Sequence, residues 1–382
     1  MKKLCALCIA AALSGAVFAG CGPESTALSD PLQSAGSQPG EVQAPDATAL
    51  PELPKEPTFT LQEDVNPYTG QAKRNGYPEG RRGVAVMINN VRAALPQSGI
   101  NDADILYEMV TESGITRLMA LYRDYETMPT VGPLRSARDQ HIQLMIPLNS
   151  LYAHIGTSSY AAEMLETYRY LDTKAIDGKY KSYYWIDAER RKTLGQEHCV
   201  YTNGPTFAEA VEKYQMDNQG EAAPAFNFRR YDMPPRVLEG GDAKQIYVRF
   251  SSYADSVFDF DQSTGRYYKS EFNQPQLDAN TNEQYSADNL LVLFADVEKY
   301  PDGVLSRVNF DGQGVALYFC GGYYEKVRWM KGKPGDPLRI VDVEGKEKDV
   351  SINPGQTYVA VVGLDQVEHC QIDGVSLAEL ED

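Results

Sequence analysis

The first sixty residues confine any globular fold to the remaining part of the chain, because neither of their two parts has the composition of a folded core. Lys2 and Lys3 precede a short apolar stretch that ends in Phe18-Ala-Gly-Cys21. This order is typical of a signal peptide over residues 1–20, whose apolar part is shorter than the roughly 20 residues that span a bilayer. Small residues before Cys21 form a lipobox, so we expect cleavage there and attachment of diacylglycerol to the thiol, with palmitate among the acyl chains. The alternative is an ordinary secretory signal with an incidental cysteine.

Residues 21–60 are rich in proline, serine, alanine and glycine, and they contain almost no aromatic side chains. Such a composition cannot offset the entropy of ordering, so we predict a flexible tether. No later segment approaches 18 consecutive apolar residues, and we therefore expect a chain that is anchored rather than membrane-spanning. The sequence thus predicts an extracytoplasmic protein on the outer face of the cell membrane, of the Gram-positive type.

Charge and length bound the rest of the chain. The 382 residues carry 36 Lys and Arg against 53 Asp and Glu, a formal net charge of -17. An acidic chain of this kind argues against nucleic-acid binding, which requires a basic surface. The length suggests about two domains, which we place at residues 61–215 and 235–370. Cys199, Cys320 and Cys370 remain after the signal segment, so at most one disulfide can form and one thiol stays free.

The first half begins with a buried strand over residues 82–90, which places Asn89 and Asn90 at the end where open α/β sheets bind ligands. Residues 104–124 predict a β-hairpin around Ser113-Gly114. A two-residue turn would place Glu108, Glu112 and Arg117 on one face, either as a solvated ion cluster or as part of a site. A helix over residues 105–112 would undo that assignment.

Two arginines flank a turn in Val131-Gly-Pro-Leu-Arg-Ser-Ala-Arg138. Ser136 is a candidate N-cap for a helix that ends near Pro147. Arg135 and Arg138 beside that helix start would bind an anion. The alternative is that both arginines pair internally with Glu108, Glu112 or Asp139.

Histidines provide the only candidate bases. His154 lies in a predicted strand over residues 151–156, where a hydrogen-bonded core histidine is the alternative to a general base. His198 precedes Cys199, but neighbours along a strand point to opposite faces and rarely form a nucleophilic pair.

The second half, over residues 235–370, alternates apolar and polar residues between frequent turn signals. Seven or more short strands without a helical pattern predict a mainly antiparallel β domain. The fold class predicted for the whole chain is therefore α/β or α+β, with a layered α/β sandwich domain followed by the β domain.

Five segments of the sequence, taken in order, resemble those of the YerB-like bacterial lipoprotein family, a family of unknown function that is common in Gram-positive bacteria. They are Val84-Ala-Val-Met-Ile-Asn-Asn90, Pro96-Gln-Ser-Gly-Ile-Asn-Asp-Ala-Asp104, Gly114-Ile-Thr-Arg117, Val131-Gly-Pro-Leu-Arg-Ser-Ala-Arg138 and His154-Ile-Gly-Thr-Ser158. The resemblance covers about residues 65–365 and implies an N-terminal α/β layered domain and a C-terminal domain. Its recurrent polar positions correspond here to Asn89, Asn90, Glu108, Arg117, Arg135, Ser136, Arg138, His154 and His198. Cys199 departs from the family, where asparagine usually follows the histidine.

Two functions remain open for this sequence. The first is an accessory lipoprotein of the cell envelope whose N-terminal cleft binds an envelope protein or an anionic glycan or peptide through Asn89, Asn90, Arg117, Arg135, Ser136 and Arg138. The second is an envelope hydrolase or transferase, in which His154 or His198 acts as base and Glu108 orients it. The sequence contains no signature of the common serine, metal or phosphate-loop enzymes, and we predict neither a cofactor nor a metal.

Overall fold

One large mixed β-sheet, built from both halves of the sequence, organises the fold. A computed structural model describes residues 62–170, 172–174, 178–344 and 348–380. The predicted signal peptide, the lipidation site at Cys21 and the tether lie outside the described residues. Among the helices that are described, none is both long and apolar enough to cross a membrane.

The described part of the chain contains 21 strands and four α-helices. The strands are β1 (Val84–Asn90), β2 (Ile105–Val110), β3 (Thr116–Tyr122), β4 (Leu151–His154), β5 (Asp172–Lys174), β6 (Trp185–Ile186), β7 (Val200–Tyr201), β8 (Gly241–Asp242), β9 (Gln245–Arg249), β10 (Asp255–Asp261), β11 (Arg266–Glu271), β12 (Gln274–Pro275), β13 (Ser286–Ala287), β14 (Asn289–Lys299), β15 (Ser306–Asn309), β16 (Gly312–Cys320), β17 (Tyr323–Lys331), β18 (Arg339–Val341), β19 (Thr357–Gly363), β20 (Gln371–Ile372) and β21 (Val375–Ser376). The helices are α1 (Asp139–Met145), α2 (Ser159–Thr167), α3 (Ala188–Leu194) and α4 (Gly204–Lys213). Short 3-10 helices cover Arg92–Ala94, Ile100–Asp102, Ile146–Leu148, Gly178–Tyr183, Gln196–His198, Leu364–His369 and Leu377–Glu379.

The large sheet has twelve strands in the order β18-β17-β16-β14-β19-β2-β3-β1-β4-β5, with β15 beside β14 and β8 beside β17. The pairs β14·β19, β19·β2, β1·β4 and β4·β5 are parallel, and the other neighbours are antiparallel. A second sheet, entirely antiparallel, has the order β12-β11-β10-β9-β20-β21 with β13 beside β11, and β6 pairs with β7 alone.

The predicted fold class is confirmed, and the distribution of the strands adds a finding to it. The strands of the second half divide between the two sheets, and β19 lies directly beside β2 of the first half. Strands β1, β2, β3 and β19 are buried along their whole length, as strands covered on both faces must be. The described residues belong to one compact unit. The boundaries at residues 61–215 and 235–370 stay a prediction.

The large sheet has two differently covered faces. On the face that we call the helical face, Met87, Met109 and Met119 pack with Ile142 of α1 and Leu165 of α2. On the opposite face, which we call the sandwich face, a second core joins it to the small sheet; its members include Val86, Leu106, Leu118, Val248 and Phe258. The alternation of side chains along β1, β2 and β3 therefore decides which layer each polar residue meets.

The predicted hairpin over residues 104–124 is confirmed, but the register of a plain two-residue turn, which would place Glu108, Glu112 and Arg117 on one face, is wrong by one residue. Ile115 N–H donates to the carbonyl of Glu112 at 2.9 Å, as expected for a two-residue turn, yet Thr111 N–H also donates to the carbonyl of Ile115, at 2.9 Å. Thr111 and Glu112 together oppose one residue, which is a β-bulge. The extra residue shifts the rest of β2, so Glu108 pairs with Leu118 and lies on the sandwich face, while Arg117 lies on the helical face.

Helix α1 begins later than predicted, and Ser136 is not its N-cap. The N-cap residue is Arg138, which makes no side-chain capping bond. Residues up to 137 are extended because their backbone bonds go to neighbouring strands: Arg135 N–H donates to the Met87 carbonyl at 2.9 Å, and Ala137 N–H to the Gly156 carbonyl at 3.1 Å. With seven residues, α1 is too short to provide the helix-dipole anion site that was expected there.

All three cysteines of the described part are free thiols. Cys199 and Cys370 are buried, and Cys320 is partly exposed. Of the two alternatives, three unpaired cysteines and one disulfide, the structure has the first.

Candidate functional site

The candidate site lies where the parallel strands β1 and β4 diverge at their carboxyl ends. The two strands pair only between Val84–Val86 and Leu151–Ala153. Beyond that point the segment Pro133–Ala137 lies between them, since Arg135 N–H binds the Met87 carbonyl and Ile155 N–H binds the Arg135 carbonyl at 3.0 Å. Ligands bind preferentially at such carboxyl edges, and the insertion brings Arg135 and Ser136 to this one.

Glu112 lies between Arg117 and Arg138, two of the three arginines predicted for the site, and holds them in place. Arg138 donates to Glu112 Oε2 from Nε at 3.1 Å and from Nη2 at 2.9 Å, while Arg117 Nη2 binds Oε1. Burial raises the pKa of Glu112, but the charges of Arg117 and Arg138 outweigh it and hold the pKa below its usual value. Arg117 is only 1% exposed, and desolvation lowers its pKa to about 9. These two arginines are therefore paired internally, which is the alternative to direct ligand contact.

Arg135 is the most accessible of the three arginines. Its side chain is 19% exposed, and its Nη2 donates to Glu197 Oε2 at 2.6 Å. Glu197 itself is 64% exposed, so this pair is a surface contact that contributes little stability and exchanges readily with solvent or ligand. The sequence did not single out Glu197, and nothing in its local pattern marks it as a partner.

Ser136 lies next to Arg135 and has no hydrogen-bond partner for its hydroxyl among the described residues. The Ser136 Oγ lies close to Gly156. A Cβ added at Gly156 would be only 3.1 Å from this oxygen, and the φ of +70° at Gly156 also favours glycine. The main chain of Ser136 is fixed by Arg117, whose Nη1 donates to the Ser136 carbonyl at 3.0 Å. The buried arginine therefore positions the exposed part of the site.

Asn89 and His198 meet beside Arg135. The Nδ2 group of Asn89 donates to His198 Nδ1 at 2.8 Å and to the Glu197 carbonyl at 3.1 Å. The amide donor makes Nδ1 an acceptor, which fixes the neutral tautomer. Desolvation, aided by the charge of Arg135, lowers the pKa of His198. His198 is partly exposed, so it satisfies the access and proximity conditions of a general base, although in this tautomer Nε2 carries the proton and Nδ1 is occupied by the Asn89 amide.

His154 does not satisfy those conditions, because it is completely buried. Its Nδ1 lies 2.7 Å from the Gly156 carbonyl, and its ring is 5.0 Å from that of Tyr152. A second histidine that the sequence did not single out, His141 in α1, is also fully buried. Neither ring nitrogen of His141 has a hydrogen-bond partner among the described residues, and burial together with the charge of Arg117 lowers its pKa to about 3.

Asn90 and Glu108 belong to a different cluster on the sandwich face. We call Asn90, Glu108, Lys269, Glu271 and Gln276 the lysine cluster, all of whose side chains are buried. Asn90 Nδ2 donates to Glu108 at 2.7 Å and to Glu271 at 2.8 Å, and Lys269 Nζ donates to Glu271 and Gln276 at 2.7 Å each. The expectation that Glu108 lies beside Arg117 is therefore wrong, for the bulge at Thr111 places them on opposite faces.

The lysine cluster joins the two sheets rather than lining a solvent-accessible cleft. Glu108 and Asn90 come from the large sheet, and Lys269 and Glu271 come from β11 of the small sheet. Burial raises the pKa of Glu271 to about 7, Lys269 lowers it and Glu108 raises it. The burial of Lys269 and Glu271 could have been predicted from the sequence. Side chains alternate along β11, so these two residues lie on the same face as buried Tyr267.

Comparison with known proteins places the chain among bacterial proteins of unknown function. Residues 68–217 match the N-terminal domain, and residues 246–359 the C-terminal domain, of the protein of unknown function DUF3048. The chain is 28% identical over 319 residues to "Putative lipoprotein YerB" of Bacillus subtilis (strain 168), covering 81% of this chain and 89% of that protein. It also resembles the crystal structure of YerB from Bacillus subtilis with a TM-score of 0.65 and 24% identity, over 78% of this chain and 96% of that one.

Proposed function

Since this chain belongs to the DUF3048 family of unknown function, we propose that it is a membrane-anchored accessory protein of the cell envelope that binds an anionic glycan or peptide. The binding groups are Arg135 and Ser136, with Asn89 beside them and with Arg117 and Arg138 as the fixed support behind. Asn90 lies in the lysine cluster on the opposite face and takes no direct part.

Anchoring is supported by the lipobox that ends at Cys21 and by the lipoprotein name of the Bacillus subtilis relative. Two or three acyl chains provide stable attachment, since each buried CH₂ contributes about 0.8 kcal/mol. Such an anchor is needed, because a chain that loses Lys2 and Lys3 with its signal has 36 - 2 = 34 basic against 53 acidic residues, a net charge of -19, and is repelled by anionic lipids and wall polymers. The proposed location is the outer face of the cell membrane.

The observation that carries the binding proposal is the exposed pair between Arg135 and Glu197. An incoming carboxylate or phosphate replaces the Glu197 carboxylate on the guanidinium, and only a surface ion pair is lost in exchange. Ser136, the next residue along this extended segment, contributes a hydroxyl that faces Gly156 and has no hydrogen-bond partner among the described residues. Arg117 and Arg138 remain on Glu112, so they position the segment without losing their own partner.

A binding titration tests this proposal. We expect Arg135→Ala to weaken binding of a purified anionic muropeptide to the full-length chain by at least about tenfold, the loss of one charge-assisted contact. Arg307→Ala is the matched control, since Arg307 is an exposed arginine on β15. Unchanged affinity in Arg135→Ala, with an unchanged melting temperature, would exclude Arg135 from the site.

The contact between Asn89 and His198 supports a second candidate, an envelope hydrolase or transferase with His198 as base. In this version Arg135 binds a phosphate or carboxylate of the substrate. The Asn89 amide turns so that its oxygen accepts Nδ1–H of His198, which leaves Nε2 unprotonated to accept the proton of the attacking nucleophile. The same titration distinguishes the two functions. Conversion of the muropeptide to a product, abolished by His198→Ala, favours the enzyme, while binding without turnover favours the accessory protein.

A further inference from the structure

A second site is indicated at the opposite edge of the large sheet. A polar cleft of about 680 Å³ opens there, beside Asp104 before β2, Arg123 after β3 and Gln356 before β19. Its volume lies within the range of small-molecule sites. Arg266 and Asp288, which flank the strands of the second half, also line it. The cleft therefore lies where residues from both halves of the sequence meet, away from Arg135.

Most of the charge in the cleft is already neutralised. Arg266 Nη1 is 2.9 Å from each carboxylate oxygen of Asp288, and Lys73 is 2.7 Å from Glu79. The exposed Arg74 has neither an ion pair nor a side-chain hydrogen bond among the described residues. It is therefore available to a ligand.

Arg123 is the second cationic group, and the fold fixes its orientation. Nε donates to the Tyr77 hydroxyl at 2.6 Å, Nη2 donates to the Pro78 carbonyl at 2.8 Å, and the Tyr77 ring lies 4.7 Å away. Arg123 is 2% exposed, yet its Nη1 has no hydrogen-bond partner within the part of the chain that is described. Among the described residues, the carboxylate that pairs with Arg123 is that of the exposed Glu221, whose Oε2 lies 3.9 Å from Arg123 Nη2. Arg123 lines the cleft, so its buried guanidinium, whose Nη1 lacks a partner, adds positive charge to the wall that a carboxylate approaches.

Two carboxylates provide the opposite charge. Asp104 accepts the backbone N–H of Arg123 at 2.6 Å and the side-chain amide of Asn66 at 2.9 Å, but no described ammonium or guanidinium group. Asp102 is exposed two residues earlier. Desolvation raises the pKa of Asp104 to about 6, although Arg123 and Arg74 lower it, so a bound cation would stabilise this carboxylate. No set of three metal-ligating side chains gathers anywhere in the described ranges. An ammonium group therefore fits these acids better than a divalent cation.

We propose that this cleft binds a zwitterionic ligand of the size of an amino acid or short peptide. Arg123 and Arg74 bind its carboxylate, and Asp104 and Asp102 bind its ammonium group. The site is independent of the anion site at Arg135, and either one can exist without the other.

Calorimetric titration of the full-length chain with alanylalanine tests the proposal. We expect the free dipeptide to bind, and both its N-acetylated and its C-amidated forms to bind at least about tenfold more weakly, since each lacks one charge. Arg74→Gln should weaken binding of the free dipeptide and of the acetylated form, and Asp102→Asn should weaken binding of the free dipeptide and of the amidated form. Both residues are exposed, so the variants are expected to fold.

The controls separate this site from the first one. Arg307→Gln, an exposed arginine outside the cleft, and Arg135→Ala should leave dipeptide binding unchanged. Absence of dipeptide binding at millimolar concentration, or equal binding of the two blocked forms and the free dipeptide, would overturn the proposal. A loss of binding in Arg135→Ala would instead assign the dipeptide to the anion site and would likewise overturn it.

Discussion

At the scale of single residues, Glu112 has the largest consequences, because one carboxylate fixes two buried or nearly buried arginines. Its substitution by glutamine leaves Arg117 and Arg138 without a counter-charge while the shape of the side chain is kept. We expect Glu112→Gln to lower the free energy of unfolding by about 3 kcal/mol at pH 7, as measured by urea denaturation. Glu298→Gln, an exposed glutamate on β14, is the matched control and should change stability little.

The effect of Glu112 depends on pH in a defined direction. Its folded-state pKa lies below the usual 4.5, so its contribution is fully present above pH 4.5 and is lost as the pH falls through the folded-state pKa. The difference between the wild type and Glu112→Gln should therefore shrink below about pH 4. A difference that is constant from pH 3 to pH 7 would show that the ion pairs do not contribute.

At the scale of elements, the bulged hairpin between β2 and β3 depends on two residues with left-handed backbones. Ser113 has φ of 51° and Gly114 has φ of 81°. We expect Gly114→Ala to lower stability by about 1 kcal/mol, because a Cβ disfavours this conformation. Ser113→Gly is the matched control, because it removes a Cβ from a left-handed backbone instead of adding one. We expect it to leave the stability unchanged or to raise it. Thermal unfolding of both variants checks this, and equal effects would contradict the turn geometry.

At the scale of the whole molecule, the lysine cluster couples the two sheets. Burial gives Glu271 a pKa of about 7 against the usual 4.5, so the folded state binds more protons than the unfolded state between these values. The free energy of unfolding should therefore fall as the pH rises from about 4.5 to 7, by on the order of 2 kcal/mol from this group. In Glu271→Gln this fall should be absent from urea denaturation curves. Parallel pH profiles of the wild type and the variant would exclude the effect.

Much of the fold could be predicted from local sequence. The strand at Val84–Asn90, the hairpin around Ser113-Gly114 and the strand at Leu151–His154 follow from apolar periodicity and turn residues. The assignment of faces could not, because one bulged residue moves Glu108 from one face to the other. The extended form of residues 133–137 was also missed, since it arises from hydrogen bonds to β1 and β4 rather than from its own pattern.

By itself, the sequence determined that the first sixty residues have the composition of an export signal and a tether, and that the rest has the composition of a layered α/β and β protein. It also determined which polar residues are candidates for a site. Only the tertiary structure decided how those candidates divide. Arg117, Arg135, Ser136 and Arg138 gather at one edge of the sheet, while Glu108 and Asn90 lie on its other face with Lys269. The physical reason is that periodicity and composition are local properties, whereas pairing register and the insertion of β19 beside β2 are set by contacts between residues about 250 positions apart.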